Sequence, residues 1–502
     1  MAQEGGMMYP SAWLAVLAPA VFMPIVYTAG RKIGRYVGWM ALLPLLYSTI
    51  FFIIIMPRVA VSPLSEYFFW LPEIRFGLLL DGLSLPIVLT VALLCTIIII
   101  YSQPYMEHRI HEEYHEENKK AYATYYSLYL AYATSMMGVV LATNLFEFYL
   151  FFELMIIPSW ALINIYGYGE REKIALMYLL WSIVGAVLFV TGALTTYATI
   201  HSFEISELKR LNGNPLATFV MLMMLLGFFI KMAVFGLHIW LPYAHAEAPT
   251  SISALLSPAM IGLAAYAIVR LIIPIQSAFQ SLYWPVFLWA FFTMLYGGLM
   301  VLAQNDIKRL LAYSSISQMG YILVGIASSM PLGVSGAMLH YISHGLGKAV
   351  LFLTAGTVMY RSGIRDIRSL GGLAGRMPIS ATAFLIGCMN IAGIPPTVGF
   401  ISKLLVFSGA FERGLQSSWL ELSISLAALI STALTIAYTL WTVRRIFFGP
   451  TPEHLRDVKE APAKMTIPLI IFSVLSIIIG IYPRFILDPM MRTVLELLEG
   501  RA

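Results

Sequence analysis

The chain alternates long apolar runs with short polar connections, and that pattern constrains what it can fold into more than any single motif. Of its 502 residues, 59% are hydrophobic and 11% are charged, and the mean hydropathy is +0.81. An ordinary globular protein carries about 25% charged residues. A soluble domain cannot hide this much apolar surface, because a large share of any folded surface faces water. The pattern excludes a soluble enzyme, a disordered chain and a nucleic-acid binder, and leaves a polytopic, all-α membrane protein. A membrane helix needs about 20 mainly apolar residues. Fourteen candidate spans lie near 11–29, 37–56, 83–102, 122–143, 145–167, 174–200, 216–242, 251–274, 280–304, 309–328, 332–360, 378–411, 418–447 and 464–487.

The connections are short, with few exceptions. The stretch 57–82, containing EYFFWLPEIRFGLLLDG, predicts a short extramembrane hairpin or re-entrant turn. The stretch 103–121 carries EHRIHEEYHEENKK and reads as a solvated loop or helix end in preference to a His/Glu metal site. The stretch 448–463 reads as a polar, Pro-containing linker. The N-terminal MAQEGGMMYP has no basic run and does not read as a cleavable signal peptide. Cys95 and Cys388 sit in apolar stretches far apart, which disfavours a metal centre and suits two small hydrophobes. No GxGxxG unit, Walker loop or cysteine cluster is present, so no cofactor is expected in this chain.

The basic residues give a topology. Placing the loops alternately on two sides puts nineteen Lys/Arg on one side, Lys308 among them, and nine on the other, including Arg270. Lys/Arg excess marks the cytoplasmic side, so both termini are expected outside. Three of the 31 basic residues fit neither set, because Lys231, Lys348 and Lys403 fall inside predicted spans. Among the acids, only Glu147 and Glu153 of NLFEFYLFFELMIIPSW sit within an apolar segment; among the histidines, His340 and His344 do, and His238 lies nearer a span end. An ionisable group in the membrane is costly and by default marks an ion path or a paired partner.

Spacing narrows the roles. His340, His344 and Lys348 recur every four residues and form one helix stripe. Such a stripe suits a proton relay, and equally a polar helix–helix contact. Lys231 and His238 are seven apart and are also expected to share a face. Glu147 and Glu153 are six apart, a turn of roughly 240°, so they cannot face one cavity together. Two spans look built to break. Gly393, Pro395, Pro396 and Gly399 precede Lys403, and Gly227 and Gly236 flank Lys231, with Pro258 in the next span. Unwound backbone at membrane depth is tolerated only where protein or water covers it, and in transporters it marks ion sites in paired halves.

These residues carry a resemblance. The motifs DGLSL (81–85), FFELMIIPSW (151–160), HIWLPYAHAEAPTSISALLS (238–257), AQNDIKRLLAYSSISQMGY (303–321), HGLGKAVLFLTAG (344–356) and GIPPTVGFISK (393–403) are similar to those of the antiporter-like subunits of respiratory complex I, energy-converting membrane-bound hydrogenases and Mrp-type sodium/proton antiporters. The resemblance covers nearly the whole chain, and the lack of a long lateral helix after the fourteenth span points to the shorter members. It implies two inverted five-helix repeats, with spans 7 and 12 broken. The expected division is 1–121 for helices 1–3 and their loop, 122–274 and 275–447 for the repeats, and 448–502 for a linker, helix 14 and a tail.

By the same resemblance Glu153 is the buried glutamate of span 5, Lys231 its lysine partner, His340, His344 and Lys348 the relay of span 11, and Lys403 the terminal group of span 12. Glu147 matches no family position and suits an interface or vestibule; His238 joins the path, and Asp306 and Lys308 are further candidates. Partners implied are other membrane subunits, including further antiporter-like ones, with H⁺ or Na⁺ as the transported ion and a prokaryotic plasma membrane as the setting. The chain departs from the family at Gly262, where an intramembrane lysine or histidine often links the halves, and at Tyr243 and Gly236, where Asp and Pro are common. No Lys, His, Asp or Glu stands between Pro249 and Arg270, and Ser253, Ser257 and Tyr266 offer hydroxyls only. Gly262 motivates an alternative, a structural subunit with incomplete conduction. A stand-alone solute carrier is disfavoured, because the buried charges form a line and no compact substrate-sized cluster.

Overall fold

The computed structural model describes residues 11–71, 74–115 and 118–500. The signal-peptide reading of MAQEGGMMYP lies outside the described residues, as does Arg501, one of the nine Lys/Arg on the less basic side. Helix dominates, because in a hydrocarbon setting every backbone polar group must be paired within its own segment. In chain order the elements are α1 (Ala12–Ile33), α2 (Val37–Val59), the antiparallel strands β1 (Leu64–Leu71) and β2 (Ile74–Leu80), α3 (Ser84–Tyr114), α4 (Lys119–Leu141), α5 (Leu145–Tyr166), α6 (Arg171–Ile200), α7 (Ala217–Met232) and α8 (Trp240–Glu247). Then come α9 (Thr250–Ile272), α10 (Tyr283–Leu302), α11 (Ile307–Ala327), α12 (Pro331–Ser362), α13 (Pro378–Ala392), α14 (Val398–Ser417), α15 (Trp419–Phe447), α16 (Ala463–Ile481) and α17 (Arg484–Leu498). Each of the fourteen expected spans is occupied by helix, and among the described residues ten segments are individually long and apolar enough to cross a membrane. The chain is a multi-pass membrane protein.

Local chemistry sets the ends. Asn118, Asn144 and Asp306 accept backbone N–H groups at the starts of α4, α5 and α11. Pro331 opens α12, and Gly363 closes it at φ +70°. The hairpin expected in 57–82 is β1–β2, the one departure from an all-helical chain among the described residues. Three boundaries differ from the sequence expectation. α3 runs on to Tyr114, because its charged end is held by Arg109 pairing with Glu112 and Glu113 and by Arg171 pairing with Glu113. α4 starts at Lys119, ahead of the expected span start near 122. The C-terminal tail carries α17, an amphipathic helix that buries Ile486, Met490, Val494 and Leu497.

The layers follow burial. The most apolar part of α9 is wholly enclosed, and α3, α11 and α12 are nearly so, forming the centre. α1, α2, α6 and α15 surround it and present Leu14, Val21, Leu180, Val184 and Leu440 outward, as a lipid-facing surface requires. The loop pairing agrees with the alternating topology. Arg35–Glu107, Arg171–Glu113, Arg365–Asp306 and the Arg361–Glu460 hydrogen bonds all lie within the loop set richer in Lys/Arg. Arg75–Glu204, Arg270–Asp81 and Arg413–Glu421 lie within the other.

Candidate functional site

The candidate site is built from buried ionisable side chains on α7, α12 and α14 and includes two unwound segments. The first interruption follows α7. Lys231 sits in its last turn and is 2% exposed. Ala233 then takes φ +55° and Gly236 φ +87°, and helix resumes at Trp240, whose Nε1 donates to the Ile230 carbonyl at 2.9 Å. This is why Lys231 and His238 do not share a helix face: the helix ends between them. His238 lies in the unwound segment instead, with Nε2 3.0 Å from the Tyr296 hydroxyl and Nδ1 accepting from the Gly236 N–H.

Lys231 Nζ and Glu153 Oε1 are both enclosed, and neither makes a hydrogen bond among the described residues. The two groups are close enough to interact electrostatically, yet no ion pair joins them. The ammonium instead stands 5.4 Å from the centroids of both the Phe152 and Tyr178 rings, a cation–π arrangement. Glu147, on the same helix as Glu153, faces elsewhere. Its Oε2 accepts from the backbone N–H of Gly77 at 3.1 Å and of Thr143 at 3.2 Å, tying the hairpin to the start of α5.

The second interruption lies between α13 and α14. Gly393 has φ +81°, and Lys403 reaches back from α14 to donate to the Ile391 carbonyl at 2.8 Å, with Nζ 4.0 Å from the Tyr321 ring centroid. A cation at these freed carbonyls is favoured by the helix dipole. Asn390 fixes the break: its Oδ1 accepts from Gly399 N–H, Ser343 Oγ and Ser476 Oγ, and its Nδ2 donates to the Ser343 carbonyl. A Cβ at Gly399 would overlap the Asn390 carbonyl, so glycine is required for that approach.

The stripe on α12 is as predicted, but its members have different partners. His340 lies between Ser402 Oγ (2.9 Å) and Gln318 Oε1 (3.0 Å). His344 is fully buried, and neither ring nitrogen has a hydrogen-bond partner among the described residues. Lys348 Nζ donates to the Leu311 carbonyl at 2.9 Å and to Ser314 Oγ.

Between Pro249 and Arg270, α9 carries no Lys, His, Asp or Glu. The Tyr341 ring occupies the space that a Cβ at Gly262 would need, so a lysine fits there only if that ring moves. Ser257 pairs with Ser315 at 2.7 Å, Ser253 donates to the His245 carbonyl, and Tyr266 donates to the Val140 carbonyl.

Several buried charges were assigned to loops on sequence grounds, and the structure corrects this. Lys308 is fully buried and donates to the Ala248 carbonyl. Beside it Asp306 caps α11 and pairs with Arg365, which also reaches Glu247 at 3.6 Å. Arg270 and Asp81 form a buried pair at 2.6 Å, on the wall of a cavity of about 220 Å³ near the hairpin. His245 was not singled out at all, although it is the next term in the seven-residue series from Lys231 through His238. Outside the spans, the hydrogen bonds from Arg75 to the Glu204 carboxylate raise its guanidinium pKa above the ordinary range.

Comparison with known proteins places this architecture. Residues 142–435 match the family model described as NADH:quinone oxidoreductase/Mrp antiporter, TM, and residues 70–115 match that of NADH-Ubiquinone oxidoreductase (complex I), chain 5 N-terminus. The chain is 30% identical to NADH-quinone oxidoreductase subunit M of Rickettsia prowazekii, over 95% of this chain and 97% of that one. It is 29% identical to F(420)H(2) dehydrogenase subunit M of Methanosarcina mazei, over 96% and 97%. Its fold superposes on a chain of the Mrp complex from Dietzia sp. DQ12-45-1b with a TM-score of 0.85 (21% identity, 97% of each chain). It superposes equally well on a chain of respiratory complex I from Thermus thermophilus with bound NADH, with a TM-score of 0.85 (24% identity, 97% and 100%).

Proposed function

This chain belongs to the NADH:quinone oxidoreductase/Mrp antiporter transmembrane family, and from that membership we propose that it moves protons across a prokaryotic plasma membrane as one subunit of a multi-subunit complex. The observation that carries the reading is the buried Lys231 ammonium held near Glu153 without a bond to it. An ammonium bound tightly to a carboxylate is costly to shift. One held only by aromatic faces and a neighbouring charge responds to small changes in field. Arrival of a proton nearby then changes which group of the pair holds charge.

The second half continues the path through Lys348, His344, His340 and Lys403, with the divisions 122–274 and 275–447 acting as the two conducting units. Energy comes from partner subunits or an existing ion gradient, and the chain itself contributes no cofactor. The face richer in Lys/Arg is the cytoplasmic one. Proton uptake by proteoliposomes carrying the intact complex tests this. Assembled Glu153→Gln and Lys231→Ala complexes are expected to lose uptake by about 100-fold or more, and normal uptake in either assembled variant rejects the proposal.

The alternative, a subunit that conducts incompletely, draws on one specific observation, the filling of the Gly262 position by the Tyr341 ring. In that case, Lys231 and Lys403 variants would differ, with only one half sensitive to neutralisation.

A further inference from the structure

We propose that the cavity between α2, α3 and α16 on the Lys/Arg-rich face is a binding site for the phosphodiester headgroup of an anionic phospholipid of the phosphatidylglycerol class. The site is separate from the buried ionisable groups described above.

The cavity has a volume of about 310 Å³ and is lined by Arg35 and Tyr36 of the α1–α2 turn, Trp39 of α2, Gln103 and Glu107 of α3 and Lys464 of α16. These residues stand at span ends, since α2 begins at Val37 and α16 at Ala463, and both helices pack on α3. A bilayer presents its headgroups at that depth, where Trp and Tyr are enriched.

The cavity holds an unmet donor. Gln103 is 8% exposed, and its Nε2 makes no hydrogen bond among the described residues. Buried polar groups normally find partners. An amide with free N–H donors suits an acceptor that arrives from outside the chain, and phosphate oxygens are such acceptors.

Charge selects the ligand. Arg35 and Lys464 bring two positive charges to the cavity, and Glu107 brings one negative charge. Arg35 pairs with Glu107. Lys464 has no carboxylate partner among the described residues, and its Nζ stands 5.2 Å from the Trp39 ring centroid. The single positive charge in excess matches one phosphodiester anion, and basic pockets between transmembrane helices on the cytoplasmic side bind such headgroups. A choline headgroup would bring a third cation against one carboxylate. The rings that could hold its ammonium are already occupied, Trp39 by Lys464 and Tyr36 by Arg35, also at 5.2 Å. A glycerol headgroup brings hydroxyls instead, which donate to the remaining acceptor positions of the Glu107 carboxylate.

The surface below the cavity suits the acyl chains. Leu43, Leu46 and Ile50 follow Trp39 along one face of α2, and Ile467 follows Lys464 on α16, all of them exposed. A free phosphate ion would make no use of that apolar track.

The test uses the purified intact complex in neutral detergent and a phosphatidylglycerol with a photoactivatable diazirine near the head of one acyl chain. Labelling of peptides from α2 and α16 is expected, and unlabelled phosphatidylglycerol should compete about fivefold better than phosphatidylcholine, or more. Lys464→Gln is expected to lower the labelling about fivefold. Gln103→Leu replaces an unmet amide with an apolar group, so the complex should assemble and melt at the parent temperature or above it, while labelling falls by about fivefold. A glutamine kept only for packing would leave the labelling unchanged. Labelling within about twofold of the parent in either assembled variant overturns the site. So does labelling confined to other segments, or equal competition by phosphatidylcholine. Equal competition by inorganic phosphate assigns the cavity to a soluble anion and overturns the lipid. Lys464 is exposed, so Lys464→Gln keeps the test decisive if Gln103→Leu fails to assemble.

Discussion

The two unwound segments do similar work with different engineering. After α7 the chain turns on Ala233 and Gly236, and Lys231 is left between two aromatic rings without a hydrogen bond. Between α13 and α14 the turn is clamped: Asn390 ties α12, α13, α14 and α16 together, and Lys403 bonds the freed Ile391 carbonyl. A cation that caps a helix end is held in place by the fold. A cation over aromatic faces is free to answer a change in charge nearby. On the proposed function, this difference gives the first half the responsive role and the second the fixed, terminal one.

Removing the clamp gives the largest effect expected from this contrast. Asn390→Ala leaves the Gly399 N–H and two hydroxyls without their acceptor, and a loss of about 3 kcal/mol is expected in denaturant melts of the purified complex. Lys403→Met strips one charged donor from the Ile391 carbonyl and should cost about 2 kcal/mol. Lys231→Met removes an unbonded ammonium and should leave stability unchanged or raise it by up to about 1 kcal/mol. Equal losses for the two lysine variants would erase the distinction. Glu147→Gln keeps an oxygen for Gly77 and Thr143, so about 1 kcal/mol or less is lost, and hydrogen exchange in β1–β2 should rise only slightly. Smallest of all, Ala233→Gly relieves a left-handed alanine and should gain about 0.5 kcal/mol.

Much of this was legible in the sequence. The membrane class, the fourteen helical segments, both breaks and the hairpin follow from apolar run length and from glycine and proline placement. Lys231, Lys348 and Lys403 stood out because no loop could take them. What escaped detection has a common cause. Lys308 and Arg270 sit at span ends, where a linear reading cannot tell a solvated side chain from one turned inward onto a carbonyl or a carboxylate. The shared face expected of Lys231 and His238 assumed a helix that the turn at Ala233 interrupts. His245 was hidden because a histidine in a connection looks solvated until α12 is seen to cover it. The helical tail α17 was passed over because its apolar residues are too few for a span, though they are spaced for one buried face.

The central claim is that Glu153 and Lys231 act as one coupled unit. It is tested most directly by proton uptake in proteoliposomes carrying the intact complex with Glu153→Gln, Lys231→Ala or both, under the same driving force. Coupled residues give strongly non-additive losses, so the double variant should be no slower than the slower single. Losses that multiply as for independent sites, or normal uptake by an assembled Lys231→Ala complex, would contradict the account.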